Sequence, residues 1–409
     1  MIIKTMPANN TNKVHIISPG ISLLLLVYAA FIALGMPDGM FGVAWPTMRK
    51  GFGIPIDAVG MSMIAGTAGY LLSSFFSGRL IAKISIGGLL TLSCALTGAT
   101  LITYCLVPSW MWYVSAGLVS GFGAGGIDAG LNTYMAANSG NRQMHWMHAC
   151  YGIGITTGPF IMTAGLQTFR SWRPGYLATG SLQILLAAAF AFSMRAWNRF
   201  DAANRGAQRK KLTDYDTPLL KTLAYGPALA GMLLFLLCSG TEASLGFWAY
   251  SILTEARGVA PVAAGILAGG YFAMFTVSRI LSGIYAKHIQ WKIIVFGCII
   301  LALAGSLLLR LKINPVISMA GMVIAGFAIA PIFPAMVSGT SSRVGDSHAS
   351  NAIGMQMSAA SIGSACIPAL MGILARRFSV EAITGAIIAL FAVILLVFIA
   401  ALRIEVKDA

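Results

Sequence analysis

Apolar runs of roughly 20 residues recur along this chain from end to end, separated by short polar stretches. As a helix, each run is long enough to cross the ~30 Å hydrocarbon core of a bilayer. Only 10% of the residues are charged, whereas soluble domains average about 25%. A membrane β-barrel would instead show shorter segments of alternating hydrophobicity. The sequence therefore predicts an all-α, multi-pass membrane protein with the lipid bilayer as its partner.

Twelve apolar runs can be delimited, and we number them span one to span twelve. The longest polar stretch separates six spans from six, which predicts two pseudo-symmetric halves, 1–195 and 222–409, joined by a basic cytoplasmic linker, 196–221. The predicted spans are 19–44, 56–81, 86–107, 109–137, 144–169, 172–195, 222–253, 259–286, 291–309, 315–340, 347–376 and 380–402.

Positive residues are divided unevenly between the loops on the two sides. Twelve spans put both termini on one side, and the loops there hold about twice as many Lys and Arg residues as the others. The positive-inside rule therefore predicts cytoplasmic termini in a cell membrane, with a bacterial inner membrane expected. Loop residues account for the net charge of +15, so no nucleic-acid partner is expected. The six cysteines lie singly within apolar segments, which predicts neither a disulfide framework nor a metal site.

Three carboxylates lie well inside predicted spans: Asp38 in span one, Asp128 in span four and Glu242 in span seven. A charge near the bilayer centre costs about 2.5–3.5 kcal/mol on insertion scales, so it is kept where it faces a partner, water or a ligand. No Lys or Arg is expected at matching depth. A carboxylate whose access alternates between the two sides can carry a proton. We therefore predict that all three acids take part in proton coupling and substrate binding, with a structural ion pair or a satisfied buried acid as the alternative.

Polar and aromatic residues near the first two acids extend the predicted binding set. Asn132 follows Asp128 by four residues, a spacing that places both side chains on one helix face. Asp38 shares a face with Phe41 and Trp45, which gives an acid beside aromatic surface suited to a sugar ring. For Trp45, the usual interfacial position of tryptophan is the alternative.

Further candidates lie in spans five, seven and eleven. His148 could join a proton relay or donate a hydrogen bond. Trp248 lies about 120° round an ideal helix from Glu242, so either the helix unwinds between them or Trp248 points elsewhere. Asn351 and Gln356 are amides of the kind that bind hydroxyl groups, with interhelical hydrogen bonding as the alternative.

A weak internal repeat supports two related halves. The segment Gly69–Ile84 in span two is similar to Gly270–Ile289 in span eight, and both carry Gly-Tyr, a later Ser-Gly and Ala-Lys. Repeats of this kind indicate alternating access around a site near the membrane midplane. Gly158-Pro159 in span five, and Pro331 with Pro334 in span ten, are expected to bend or loosen their helices.

Several motifs resemble those of the major facilitator superfamily. Twelve spans in two halves, with GRLIAK at 78–83 after span two, resemble the superfamily pattern, although Ala82 stands in the place of its acid. GMPDGMFG around Asp38, GFGAGGIDAGLNTYM around Asp128, GTEASLGFW around Glu242 and AGFAIAPIFPAM in span ten look like the fucose–proton symporter branch and its sodium-dependent glucose-transporter-like relatives. This resemblance implies a major facilitator fold, with the acids of spans one and four in proton coupling and sugar recognition.

A second resemblance favours a rival function. The segment Gly154–Pro159, GITTGP, resembles part of the span-five motif of drug–proton antiporters, but the double glycine that should follow is absent. Export of an amphipathic compound is therefore an alternative to import.

Together these features predict a proton-coupled secondary transporter that works by alternating access. We expect a monomer without a cofactor that imports a sugar or similar polyhydroxylated small molecule. Sodium coupling, and proton-driven export of amphipathic small molecules, stay open. An enzyme is not expected, because the sequence shows no nucleophile–base pair or metal set. Direct ATP drive is not expected either, because no GxxxxGK[ST] motif occurs.

Overall fold

The computed structural model describes residues 21–138, 141–208, 218–286 and 288–403, and every regular element in these ranges is a helix. Within these ranges, ten helices or helix parts are long and apolar enough to cross a membrane by length and composition. Two further helices of 29 residues each correspond to predicted spans four and five. The predicted all-α membrane architecture is confirmed. Its physical basis is that a backbone in hydrocarbon must satisfy its hydrogen bonds within its own segment.

The N-terminal half contains five helices that provide six spans. The second helix covers spans two and three, and its backbone breaks at Ser85, where φ is 64° and ψ is 169°. A 3₁₀ turn, Ile56–Ala58, precedes it. The helices are α1 (Ile21–Phe52), α2 (Val59–Tyr104), α3 (Trp110–Asn138), α4 (Asn141–Phe169) and α5 (Arg173–Gln208).

The C-terminal half repeats this plan with more breaks. Span ten is interrupted at Pro331, which lacks a backbone N–H, so the predicted break is confirmed. By contrast, α4 stays helical through Pro159. The helices are α6 (Leu219–Leu223), α7 (Gly226–Ser251), α8 (Pro261–Tyr285), α9 (Trp291–Arg310), α10 (Pro315–Ile329), α11 (Ile332–Ser338), α12 (Thr340–Val344), α13 (Asp346–Arg377) and α14 (Val380–Arg403).

The predicted linker, 196–221, is helical in much of its described part. Helix α5 continues to Gln208, and the short α6 begins at Leu219. Residues 209–217 lie outside the described ranges. The division of the chain into two halves and a linker stays a prediction.

Corresponding helices of the two halves pack in the same pairs. Helix α1 packs on α4 as α7 packs on α13, and α2 packs on α5 as α9 packs on α14. Helix α2 also packs on α3 as α9 packs on α10. The two predicted halves thus share a packing pattern as well as a sequence repeat.

The contact between α1 and α4 is built from glycines. Gly35 and Gly39 on α1 face the backbone of α4, and Gly154 and Gly158 on α4 face the backbone of α1. A Cβ atom added at Gly154 would overlap the carbonyl oxygen of Ile32. Close approach of this kind is the usual role of small residues between membrane helices. It holds the middle of α1 firmly against α4.

Aromatic packing and ion pairs join the two halves at one end of the bundle. We call the end near Ile21 and Arg403 the terminal end, and the opposite end the distal end. At the distal end, the hydrophobic core of the C-terminal half continues without interruption into the N-terminal half. Phe41 packs on Phe247 across the boundary, with ring centroids 5.2 Å apart. The rest of the N-terminal core forms a separate cluster nearer the terminal end.

Two ion pairs also join the halves at the distal end. Arg49 donates to both carboxylate oxygens of Glu255, at 2.9 and 3.0 Å. Arg376 donates to Asp57 at 3.0 Å. Exposed ion pairs of this kind contribute only about 0–1 kcal/mol each, but conformations of a transporter differ by a few kcal/mol. The two pairs together can therefore bias which end of the bundle is closed.

We expect the double variant Glu255→Gln, Asp57→Asn to open the distal end more often. The readout is a thiol placed at the sealed position, Phe247→Cys, in a background without the native cysteines. In detergent, its labelling rate should rise several-fold when both ion pairs are absent. Arg310→Gln breaks an ion pair within the C-terminal half and should leave the rate unchanged. Equal labelling of the double variant and its parent would show that the ion pairs do not control the seal.

Candidate functional site

Asp128 on α3 is held by two hydrogen-bond donors. The hydroxyl of Tyr70 on α2 donates to Oδ2. The amide of Asn132 donates to Oδ1 at 2.8 Å, so the predicted shared face of Asp128 and Asn132 is confirmed. Each carboxylate oxygen therefore accepts a hydrogen bond, and the two bonds fix the orientation of the group.

Asp38 lies near the middle of α1 and is more open. The hydroxyl of Tyr151 on α4 donates to its Oδ2 at 2.7 Å, and the residue is exposed although its helix neighbours Gly39 and Met40 are buried. An exposed residue at this depth faces internal space between the helices.

We call Asp38, Tyr151, Asp128, Tyr70 and Asn132 the acid cluster. The two carboxylates lie close enough to interact electrostatically. In the described part of the chain, the ion pairs involve neither of them. Their charge can therefore be balanced by protons or by a bound ligand, and their partners are tyrosine hydroxyls and an amide.

His148 lies one helical turn before Tyr151 on α4, on the same side of the helix. Its side chain is exposed and contacts Phe31 on α1 edge to face, with ring centroids 5.7 Å apart. The structure therefore places His148 beside the acid cluster, toward the terminal end.

Glu242 on α7 has a cationic neighbour, contrary to the sequence expectation. Arg279 on α8 donates to its Oε1 at 3.5 Å, and the hydroxyl of Tyr271 donates to its backbone carbonyl at 3.1 Å. The expectation that no Lys or Arg lies at matching depth was wrong, because Arg279 lies about two turns before the end of α8. The long arginine side chain reaches inward from α8, as its aliphatic stem permits.

The two predicted tryptophans are buried away from the acids. Trp45 is fully buried and packs on Trp110 in the distal core, with ring centroids 5.4 Å apart. Trp248 is also fully buried, and its indole donates to the carbonyl of Pro368 on α13 at 3.1 Å. Since α7 stays helical to Ser251, Trp248 points away from Glu242. This conformation does not bring either tryptophan to a ligand, because both rings are packed between helices.

The predicted amides also serve contacts between helices. Asn351 donates to the hydroxyl of Thr222 at 3.3 Å, near the terminal end. Gln356 is fully buried and accepts from the hydroxyl of Thr340 at 3.0 Å. Both bonds are hydrogen bonds between helices, the alternative role that the sequence left open for these amides. The hydrogen bonds described for Asn351 and Gln356 do not connect them to the acid cluster.

Sequence reasoning missed four residues around the acids: Tyr70, Tyr151, Tyr271 and Arg279. One signal could have found two of them. Tyr70 and Tyr271 are the tyrosines of the repeated Gly-Tyr pair, and each donates its hydroxyl to an acid-bearing residue of its own half. Nothing in the local pattern around Tyr151 or Arg279 distinguishes them from packing or loop residues.

The chemistry of these residues is proton exchange and hydrogen bonding. Carboxylates and tyrosine hydroxyls can bind the hydroxyl groups of a ligand, and carboxylates can load and release protons. Within the described ranges, no group of three or more His, Cys, Asp or Glu side chains could hold a metal ion.

Comparison with known proteins identifies the family. The family model described as "Major Facilitator Superfamily" matches residues 27–355 and 232–409. The chain belongs to the major facilitator superfamily. Members of this superfamily are transporters rather than enzymes, and this member carries the twelve-helix architecture of the family.

Two curated proteins are similar to this major facilitator over much of its length. The glucose/mannose transporter GlcP of Bacillus subtilis is 22% identical over 359 residues, which cover 85% of this chain and 86% of GlcP. Bypass of stop codon protein 6 of Saccharomyces cerevisiae is 24% identical over 306 residues, which cover 70% of this chain and 60% of the yeast protein.

Solved structures share the fold at low sequence identity. A bacterial homolog of the human lysosomal transporter Spinster, in an inward-facing and occupied conformation, has a TM-score of 0.76 at 12% identity, with 95% of this chain and 98% of that chain covered. An aspartate-to-alanine variant of the nucleoside transporter NupG has a TM-score of 0.75 at 13% identity, with coverages of 93% and 100%.

Proposed function

We propose that this major facilitator imports a sugar or similar polyhydroxylated small molecule together with protons. The observation that carries the proposal is the acid cluster, in which two carboxylates deep in the bundle have hydroxyl and amide partners. A group whose charge is balanced by an exchangeable proton can link proton binding to substrate binding.

Within the cluster, the two acids differ in ways that suggest different roles. Asp38 is exposed and uses one hydrogen bond, so it has acceptor capacity left for a substrate hydroxyl. Asp128 is held on both oxygens, which suits a proton-coupling site that must keep its position. Glu242 stays in the proposed coupling set as an acid at membrane depth in the C-terminal half, with Arg279 as its neighbour. Asn132 and His148 complete the proposed binding surface.

Sugar import is supported by the similarity to GlcP, a glucose/mannose transporter. Hydroxyl-rich ligands also suit carboxylate and tyrosine partners, since each hydroxyl can both donate and accept. A neutral, polyhydroxylated substrate is therefore favoured over an apolar one.

Alternating access is supported by the contacts between the halves. The core and two ion pairs join the halves at the distal end. With cytoplasmic termini, this arrangement corresponds to an inward-facing state, and the Spinster homolog of similar fold is described in such a state. In the proposed cycle, a proton and the substrate bind from outside, the halves rock about the site, and both are released inward.

The test is the external pH of lightly buffered, de-energised cells that express the protein. D-glucose and D-mannose should each be added separately, and transport with protons should make the medium transiently alkaline. Asp38→Asn and Asp128→Asn should abolish the signal while the variants are still present in the membrane. No alkalinisation with either sugar or a wider sugar panel would contradict proton-coupled sugar import. Sugar uptake that depends on sodium instead would contradict the proton assignment alone, and sensitivity of deletion cells to amphipathic compounds would favour export.

A further inference from the structure

The ion pair between Arg279 and Glu242 is held loosely. Its N–O distance of 3.5 Å exceeds the 2.9 Å of the Arg49–Glu255 pair. The two side chains are 36% and 26% exposed, whereas those of the Arg257–Glu381 pair are 4% and 15% exposed. The contacts described for Arg279 use Nε and Nη2, and the contact described for Glu242 uses Oε1. Nη1 and Oε2 can therefore bind a ligand without displacing a described partner.

Arg279 lies on the side of α8 that faces the other half. Helices α4 and α8 form an antiparallel contact between the halves, in which a small residue on one helix repeatedly faces a side chain on the other. The facing pairs are Thr163 with Gly265, Phe160 with Gly269, and Gly152 with Thr276. Moving along this contact toward the terminal end, α4 and α8 therefore stay in register, turn by turn.

Continued by one turn, the register of this contact puts the two sets of polar residues at the same level on opposite sides of the boundary. Arg279 follows Thr276 by one turn on α8, and His148 precedes Gly152 by one turn on α4. Tyr151, which binds Asp38, lies between His148 and Gly152. Arg279 is therefore placed across the boundary between the halves from the Asp38 side of the acid cluster.

The surroundings of Arg279 keep its guanidinium in position. Its Cζ lies 4.2 Å from the centroid of the Phe275 ring, a cation–π contact within α8. Its Nε donates to the carbonyl of Ala330 at 3.4 Å, where span ten is broken. The hydroxyl of Tyr271 fixes α8 against α7 at Glu242. The pair is thus preorganised although the link between its two members is weak.

Charge decides which ligand suits this position. Glu242 already balances the charge of the Arg279 guanidinium, so an anion would have to displace Glu242 or meet its repulsion. A neutral diol fits better, because one hydroxyl can donate to Glu242 while its neighbour accepts from Arg279. We propose that Arg279 is a substrate-binding residue and that, with Glu242, it binds two neighbouring hydroxyls of a neutral substrate across the boundary from Asp38. This inference rests on the proposed function and extends it to the second half.

The test measures binding of D-glucose, D-mannose and the monodeoxy analogues of D-glucose to the purified full-length protein. Ligand-induced thermal stabilisation over a concentration series gives the Kd for each sugar. We expect Arg279→Gln to weaken binding of the parent sugar roughly 10- to 100-fold, as for loss of a hydrogen bond to a charged group. One deoxy analogue should lack the hydroxyl that Arg279 binds. It should bind the wild type more weakly than the parent sugar does, and it should bind Arg279→Gln with the same affinity as it binds the wild type.

Matched variants separate recognition from a structural role. Arg279→Lys keeps the charge but loses the planar fork, so its affinity should lie between those of wild type and Arg279→Gln. Arg310→Gln removes an arginine from an ion pair at the distal end and should bind sugar like the wild type. Each variant must melt cooperatively without ligand before its affinity is compared.

The outcomes distinguish this inference from the proposed function. Wild-type sugar binding that Arg279→Gln retains in full would overturn the inference and leave sugar transport standing. The inference would also be overturned if Arg279→Gln lowered the affinity for the parent sugar and for every deoxy analogue by the same factor. Arg279 would then affect only the structure of the protein. Binding of D-gluconate or glucose 6-phosphate that is tighter than that of D-glucose, and that depends on Arg279, would overturn the diol assignment. That result would show that Arg279 binds an anionic group. Absence of binding for every sugar in the wild type would contradict the proposed substrate class and the inference together.

Discussion

The variant Asp128→Asn is expected to abolish proton-driven accumulation of substrate while leaving substrate exchange intact. Asparagine is similar in size and can still bond with Tyr70 and Asn132, so the packing around α3 should persist. It cannot take up or release a proton, so the substrate gradient is no longer linked to the proton gradient. Exchange of labelled for unlabelled substrate needs no net proton movement. In proteoliposomes with an imposed pH gradient, accumulation should fall to the equilibrium level.

Asp57→Asn provides the matched control. It removes the same charge from an aspartate at the distal end, where Arg376 is its partner, and leaves the Arg49–Glu255 pair in place. Accumulation should continue in this variant. If Asp128→Asn vesicles still concentrate substrate when a pH gradient is imposed, Asp128 is not the coupling site. Loss of both exchange and accumulation would point to a structural role.

The variant Gly154→Val is expected to prevent normal packing of the N-terminal half. The added Cβ overlaps the carbonyl oxygen of Ile32, and backbone atoms cannot rotate away as a flexible side chain can. Overpacking typically costs about 1–3 kcal/mol, and a clash with backbone belongs at the upper end. We expect the purified protein to melt roughly 3–4 °C lower, or not to accumulate in membranes at all. Transport should also be lost, because α1 and α4 position Asp38 against Tyr151.

Gly297→Val is the control for this prediction. Gly297 lies within α9, is exposed, and an added Cβ there has no atom within 4 Å. Both substitutions place the same β-branched residue inside a helix, so their intrinsic helix costs are equal. The difference between them isolates the packing between α1 and α4. Equal melting temperatures for the two variants would show that this contact tolerates a side chain.

The number of spans and their approximate positions followed from the sequence because hydrophobic length alone determines what can cross a bilayer. The break at Pro331 could be predicted for a similarly local reason. The Ser85 break falls between the predicted spans two and three, as the sequence led us to expect. The extension of α5 to Gln208 was not predicted, because a polar segment can be helical without a hydrophobic signal.

The sequence alone also identified Asp38, Asp128 and Glu242 as candidate site residues, since each carries the cost of a charge at membrane depth. It could place Asn132 beside Asp128, because that contact lies within one helix. Only the tertiary structure decided the other partners. The partners of the acids lie on helices distant in sequence, as Tyr70, Tyr151 and Arg279 do. The indole of Trp248 donates to Pro368 and does not face Glu242. A single sequence shows helical periodicity and hydrophobic length, but the pairing of helix faces depends on how all twelve spans pack together.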